Sequence, residues 1–139
     1  MALKRTSHAV YDTKYHLVWV PKYRKRMSDE VRQCLRLLFP RIAEDFGFEI
    51  EAQEIAVDHI HLFLSFPPRY AISKVVGIFK SISASELFKE FPELRAGLWS
   101  GQFWEDGYFV RTVGDEVTSK MIQRYIQRHW DSGSDLRLF

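Results

Sequence analysis

His59 and His61 stand one residue apart in the stretch VDHIHLFLSF (57–66), which otherwise reads as a buried strand. Side chains alternate along a strand, so Ile60, Leu62, Leu64 and Phe66 take one face and His59, His61, Phe63 and Ser65 the other. The aliphatic face belongs under helices. Both imidazoles then emerge on the opposite face, about 7 Å apart along the strand. Two ring nitrogens so placed can converge on one divalent ion, although two ligands make an incomplete site. Taken alone, the pair also describes two ordinary surface histidines.

A second stretch, MIQRYIQRHW (121–130), supplies what the strand lacks. At helical spacing Tyr125 and His129 lie one turn apart on the same side, beside an apolar stripe of Ile122, Ile126 and Trp130. His129 is a natural third ligand, and Tyr125 would stand next to the ion. The competing reading makes Tyr125 an amphipathic anchor and His129 a helix-end cation favoured by the dipole. A free phenol titrates near 10, so it becomes a good nucleophile only where something favours its anion.

The elements that must position these groups can be read from periodicity. YHLVWV (15–20) is β-branched and aromatic and ends at Pro21, as a strand would. Ser28 is a fitting N-cap, with Asp29 and Glu30 in the first turn. Val31, Leu35, Leu38, Ile42 and Phe46 then recur at helical spacing up to Gly47, and Pro40 should kink or split that helix. FEIEAQEIAV (48–57) alternates and then slips phase between Ala52 and Ile55, which predicts a bulged strand. The histidine strand follows, and 72–91 form a second helix. An aromatic loop leads to a strand near 108–113, after which Gly114 and Asp115 open a last helix to about Trp130. Gly114 is either a hinge for that helix or a plain turn residue. The order β-α-β-β-α-β-α predicts an α+β fold: a ferredoxin-like, four-stranded antiparallel sheet with helices on one face and one helix appended.

At 139 residues the chain is read as a single domain, 1–139, with 1–10 and 131–139 loosely held. No apolar run approaches the roughly 18–20 residues that cross a bilayer, and the start does not resemble a signal peptide. The lone Cys34 fits a reducing cytosol and, flanked by leucines, reads as a packed helical thiol. The net charge of +2 is unevenly placed. Residues 1–26 hold seven Lys or Arg against Asp12 alone, a local +6, which leaves −4 for the rest. That asymmetry points either to a polyanion contact or to a solubilising basic loop. Lys22, Arg24, Lys25 and Arg26 can contact phosphates, and Tyr23 can stack on an unpaired base. FPPRY (66–70) adds Arg69 beside Tyr70 in a rigid loop, with Lys80 and Arg111 as further candidates. Trp99, Phe103 and Trp104 read as packing residues rather than base platforms.

DHIH (58–61), followed some sixty residues later by QRYIQRH (123–129), resembles the HUH single-tyrosine transposases of single-strand insertion sequences, the IS200 type. The similarity covers nearly the whole chain, including YHLVWVPKYR (15–24) and LWSGQFWEDGYFVRTVG (98–114). It implies a metal-dependent enzyme that cleaves and rejoins hairpin-bearing single-stranded DNA through a 5′-phosphotyrosine. Tyr125 would be the nucleophile and His59, His61 and His129 the ligands of Mg²⁺ or Mn²⁺. It also implies a homodimer, with the tyrosine helix serving either its own or the partner's histidines, working in the cytoplasm at a prokaryotic nucleoid. The family often has Gln or Asn where His129 stands, a departure that could favour Mn²⁺ or a softer ion. Val57 replaces the usual Pro. Asp58 is expected to serve as a turn or hydrogen-bonding residue rather than a ligand.

Competing classes fit less of the chain. A non-enzymatic RNA-recognition-like module would carry aromatics in a GFGFV-like stretch, which is absent. Relaxases and replication initiators usually bring further domains and a second tyrosine. Two-histidine phosphoesterases need paired His-x-Thr motifs, and no Thr follows the histidines here. A domesticated repeat-associated transposase would share nearly all of these residues.

Overall fold

The computed structural model describes residues 3–97 and 101–112. Tyr125, His129, Gly114, Trp99, the expected last helix and the tail lie outside them. Six strands and two helices are present among the described residues: β1 (Lys4–Arg5), β2 (Val10–Tyr11), β3 (Tyr15–Trp19), α1 (Asp29–Phe46), β4 (Glu49–Ile55), β5 (Ile60–Ser65), α2 (Ile72–Glu90) and β6 (Phe109–Thr112). Short 3₁₀ turns occupy Lys22–Arg24 and Pro92–Gly97.

Four strands form one antiparallel sheet in the order β4-β5-β3-β6, the ferredoxin-like arrangement expected from the sequence. β5 and β3 are its central strands, and their alternation decides the two faces. Leu17, Trp19, Ile60, Leu62 and Leu64 are fully buried in one core with Leu35 and Phe39 of α1 and Val75, Phe79 and Leu87 of α2. Trp19 is the centre of this packing, within 6.1–6.3 Å of the rings of Phe39, Phe79 and Trp104. Phe103 and Trp104 are both buried in it, as packing residues. The indole N–H of Trp104 donates to Ser83 Oγ at 2.8 Å, which removes the cost of burying it unpaired.

The ends of α1 follow its sequence. Ser28 Oγ accepts the N–H of Val31, and Gly47 closes the helix in the left-handed conformation at φ 75°. Pro40, however, neither ends nor splits the helix, which runs on to Phe46. A proline orphans the carbonyl four residues back, here that of Arg36. That carbonyl accepts the side-chain Nε2 of Gln53 at 2.9 Å, so a residue of β4 replaces the missing helical bond. The bulge in β4 is also present, although the register shifts between Ile50 and Ala52, earlier than the phase slip suggests. Residues 1–10, expected to be loosely held, include a small ladder: β1 pairs with β2, and Lys4 reaches Glu49 on β4 at 2.5 Å.

Gln53→Ala should destabilise the protein by about 0.5–1.5 kcal/mol through loss of this bond. With Pro40→Ala in the background, residue 40 regains its N–H and the same substitution should cost less. Urea denaturation of the four proteins of the cycle reads the coupling; strict additivity would mean that Gln53 does not replace the proline's bond.

Candidate metal and nucleic-acid site

The register of three strands builds the histidine face. Val18 lies opposite His61 and His16 opposite Phe63 across β3–β5, while Glu54 lies opposite His61 across β4–β5. One row therefore runs Glu54, His61, Val18 from the β4 edge inward, with His16 one diagonal step from His61 on the same face. His59 precedes β5 and joins the row from the bend at its start; its ring lies 4.9 Å from that of His61, centroid to centroid. Glu54, His59 and His61 each offer a ligand atom, all within 4.8 Å of one another. With bonds of about 2.1 Å, two atoms on one ion stand roughly 3–4 Å apart, and the 3.3 Å between Glu54 Oε1 and His61 Nε2 already has that spacing.

Each imidazole is held by its other side. Asp58 Oδ1 accepts from His59 Nδ1 at 2.9 Å, which leaves His59 Nε2 for another partner. Asp58 is held in turn: its Oδ2 accepts Arg24 Nε at 3.0 Å and a terminal guanidinium nitrogen at 2.6 Å. Burial alone would raise the Asp58 carboxyl, but the bonds from His59 and Arg24 outweigh it and hold the group below its ordinary value. His61 Nε2 faces Glu54 Oε1 at 3.3 Å, and its Nδ1 pairs with His16 Nε2 at 3.0 Å. Burial, then the neighbouring His59 and His16, push His61 down to about 4. It is therefore neutral at physiological pH, the form that can bind a cation.

Asp58 thus has the hydrogen-bonding place expected of it. Glu54 was not among the residues singled out from the sequence. The 5-residue separation of Glu54 from His59 spans a strand end and a turn, so no single-element periodicity links the two.

The basic turn after β3 is a strained structure. Tyr23 and Arg24 both have left-handed φ, 57° and 52°, which costs on the order of 1 kcal/mol each for residues with a Cβ. The buried Glu105 holds the turn in that shape. One of its carboxylate oxygens accepts the N–H of Tyr23 at 3.1 Å, and the other pairs with Lys22 Nζ at 3.1 Å. The Tyr23 ring consequently stands 43% exposed, with the Lys22 ammonium 5.6 Å from its centroid. Two of the expected phosphate contacts are therefore engaged inside the protein: Lys22 with Glu105 and Arg24 with Asp58. Lys25 and Arg26 line a cavity of about 220 Å³ with Pro21, Met27 and Phe103. Arg69 and Tyr70 come together as expected, the guanidinium 5.0 Å from the ring, while Phe48 meets the same ring edge-on at 5.0 Å. Lys80 is turned inward, donating to the carbonyls of Glu105 and Gly107 at 2.7 Å each. Arg111 lies opposite His16 on β6.

Residues 9–129 match the family model described as Transposase IS200 like. The chain belongs to this transposase family. It is 36% identical over 132 residues to the ISDra2 transposase TnpA of Deinococcus radiodurans, covering 94% of each chain. It is 34% identical over 125 residues to the transposase for insertion sequence element IS200 of Salmonella typhimurium, covering 89% of this chain and 81% of that one. The fold matches a crystal structure of a Deinococcus radiodurans transposase with a TM-score of 0.81 at 36% identity, over 90% of this chain and 96% of that one. A REP-associated tyrosine transposase bound to a REP hairpin shares the fold at a TM-score of 0.51 and 16% identity, over 97% of this transposase and 76% of that chain. Among the described residues no helix is long and apolar enough to cross a membrane.

The depressed His61 pKa gives the transposase a defined acid sensitivity when free of metal. An unfolded chain takes up the His61 proton below about pH 6.5, whereas the folded ring resists it until about 4. The urea midpoint should therefore fall as pH drops through that window, and His61→Gln should flatten the slope. An unchanged slope in the variant would place the acid sensitivity elsewhere.

Proposed function

We propose that this transposase cleaves and rejoins single-stranded DNA at the hairpin-bearing ends of an insertion sequence, through a 5′-phosphotyrosine on Tyr125. The observation that carries this reading is the histidine cluster. Two imidazoles and a carboxylate converge at one strand end, and both rings are hydrogen-bonded on the side away from the group. His59, His61 and Glu54 fit a divalent cation by donor type and spacing, with His129 a further ligand by resemblance. A bound Mg²⁺ or Mn²⁺ would neutralise the scissile phosphate and hold it for in-line attack.

The chain's own groups account for the rest. The Tyr125 oxygen forms a bond to phosphorus as the bond to the 3′ oxygen breaks; that oxygen leaves as a hydroxyl, taking up the proton the phenol gives up. Rejoining reverses the exchange: a 3′-hydroxyl attacks the phosphotyrosine and Tyr125 leaves. The phosphoester energy is kept, so no nucleotide cofactor is needed. Gly114 is suited to act as the hinge of the Tyr125 segment. Two copies acting as a homodimer, with the tyrosine of one serving the histidines of either, complete the proposal.

DNA contacts divide into two sets. Lys25 and Arg26, at the rim of the cavity beside Phe103, suit backbone phosphates, and the exposed Tyr23 ring suits an unpaired base. An open depression lined by Arg36, Gln53, Glu54, Ile55, Ala56 and His59 gives a strand access to the cluster. Arg69 and Tyr70 form a further platform at the end of β5. The hairpin held by the REP-associated relative supports a folded DNA end as the ligand. Similarity to ISDra2 TnpA across 94% of each chain favours an insertion-sequence enzyme over a domesticated repeat-associated one.

Wild type incubated with labelled hairpin single strands and Mn²⁺ should yield a denaturation-resistant adduct. Tyr125→Phe should give none, and His59→Ala or His61→Ala should lose it while remaining folded. An adduct in Tyr125→Phe would remove Tyr125 as nucleophile. His129→Gln should stay active with a shifted metal preference. Salt titrations separate the arginines: Arg26→Gln should lower the slope of log K against log salt by about 1, as a lost phosphate contact does. Arg24→Gln should leave that slope unchanged and instead weaken Mn²⁺ binding about 10–100-fold by loosening Asp58 and His59.

A further inference from the structure

His16 has no part in the scheme so far, yet it is built into the cluster. It sits on β3, diagonally across from His61, and is half-buried there. Its Nε2 lies 3.0 Å from His61 Nδ1. The edge of Phe63 fixes its plane, with centroids 6.3 Å apart at 88°. Its own Nδ1 is buried with no hydrogen-bond partner, so the bond to His61 is the polar anchor of the ring. A buried polar ring on a sheet is costly unless its bonds are made. A packing role would be met as well by an aromatic hydrocarbon.

We infer that His16 is a positioning residue for the metal site: it holds His61 by Nδ1 and so commits His61 Nε2 to the ion. This rests on the proposed reading of His59 and His61 as ligands. An imidazole bound through Nε2 carries its proton on Nδ1 and needs an acceptor there. His16 Nε2 is that acceptor, as the Asp58 carboxylate is for His59. The two ligands are therefore supported differently. His59 leans on an anion that Arg24 holds in turn, and His61 on a neutral ring. A neutral acceptor adds no negative charge beside the exposed Glu54, which remains the anionic member of the group. Strand register places His16 there, because His61 has Val18 directly opposite and His16 one diagonal step away.

The test measures Mn²⁺ affinity from the electron paramagnetic resonance of the free ion, together with cleavage of hairpin DNA at varied Mn²⁺. His16→Phe keeps the ring's bulk and removes the acceptor. It should weaken Mn²⁺ binding about 10–100-fold. Cleavage lost at limiting Mn²⁺ should return at high Mn²⁺, with KM for DNA unchanged. His16→Gln can present an oxygen to the same nitrogen and should stay within a few-fold of wild type. His16→Asn, too short to reach, should behave like His16→Phe and serves if that variant does not fold. Wild-type affinity in His16→Phe or His16→Asn would overturn the inference. So would His16→Gln being as weak as either, because that pattern marks a packing residue. His61→Ala is the reference: if it binds Mn²⁺ as tightly as wild type, the ligand reading itself fails.

Discussion

β5 has two faces and uses them for opposite purposes, and this constraint organises the rest of the molecule. Ile60, Leu62 and Leu64 are fully buried beneath α1 and α2, which locks the strand in register. A slip of one residue would put the leucines in solvent and the imidazoles in the core, so the hydrophobic effect fixes where the histidines point. Several kcal/mol of aliphatic burial stand behind the placement of two polar rings. The site is precise because the core on the other side of the sheet is rigid.

Position alone does not make imidazoles into ligands; orientation does. Each ring has a partner on the side away from Glu54, Asp58 for His59 and His16 for His61. Burial keeps His61 neutral, so a cation does not first have to displace a proton at neutral pH. Arg24 extends the arrangement outward. It ties Asp58 to the strained turn whose other side is clamped by Glu105, so the exposed Tyr23 ring and His59 belong to one continuous hydrogen-bonded structure. A strand of DNA stacked on Tyr23 would bear directly on the segment that orients the site.

The same contacts change the meaning of the basic segment. Its charge reads from sequence as a phosphate-binding patch. In three dimensions Lys4, Lys14, Lys22 and Arg24 meet Glu49, Glu51, Glu105 and Asp58. Much of the local excess of +6 is thus answered by carboxylates far along the chain. What is exposed toward a polyanion is narrower: the cavity rim at residues 25 and 26, with the Tyr23 ring beside it.

Sequence alone determined the features that depend on near neighbours. Alternation separated the two faces of β5, Ser28 and Gly47 marked the ends of α1, the order of elements gave the four-stranded sheet, and the DHIH and QRYIQRH motifs pointed to the family. Those signals are local because backbone geometry repeats every two or every 3.6 residues. Tertiary structure decided what lies across the gaps between elements. Gln53 carries α1 through Pro40, Glu54 joins the histidines, His16 meets His61 from 45 residues away, and Arg24 is turned from DNA toward Asp58. None of these pairings has a period. Each exists because the register of one strand against another, set by packing on the far face, brings together side chains that the chain itself keeps apart.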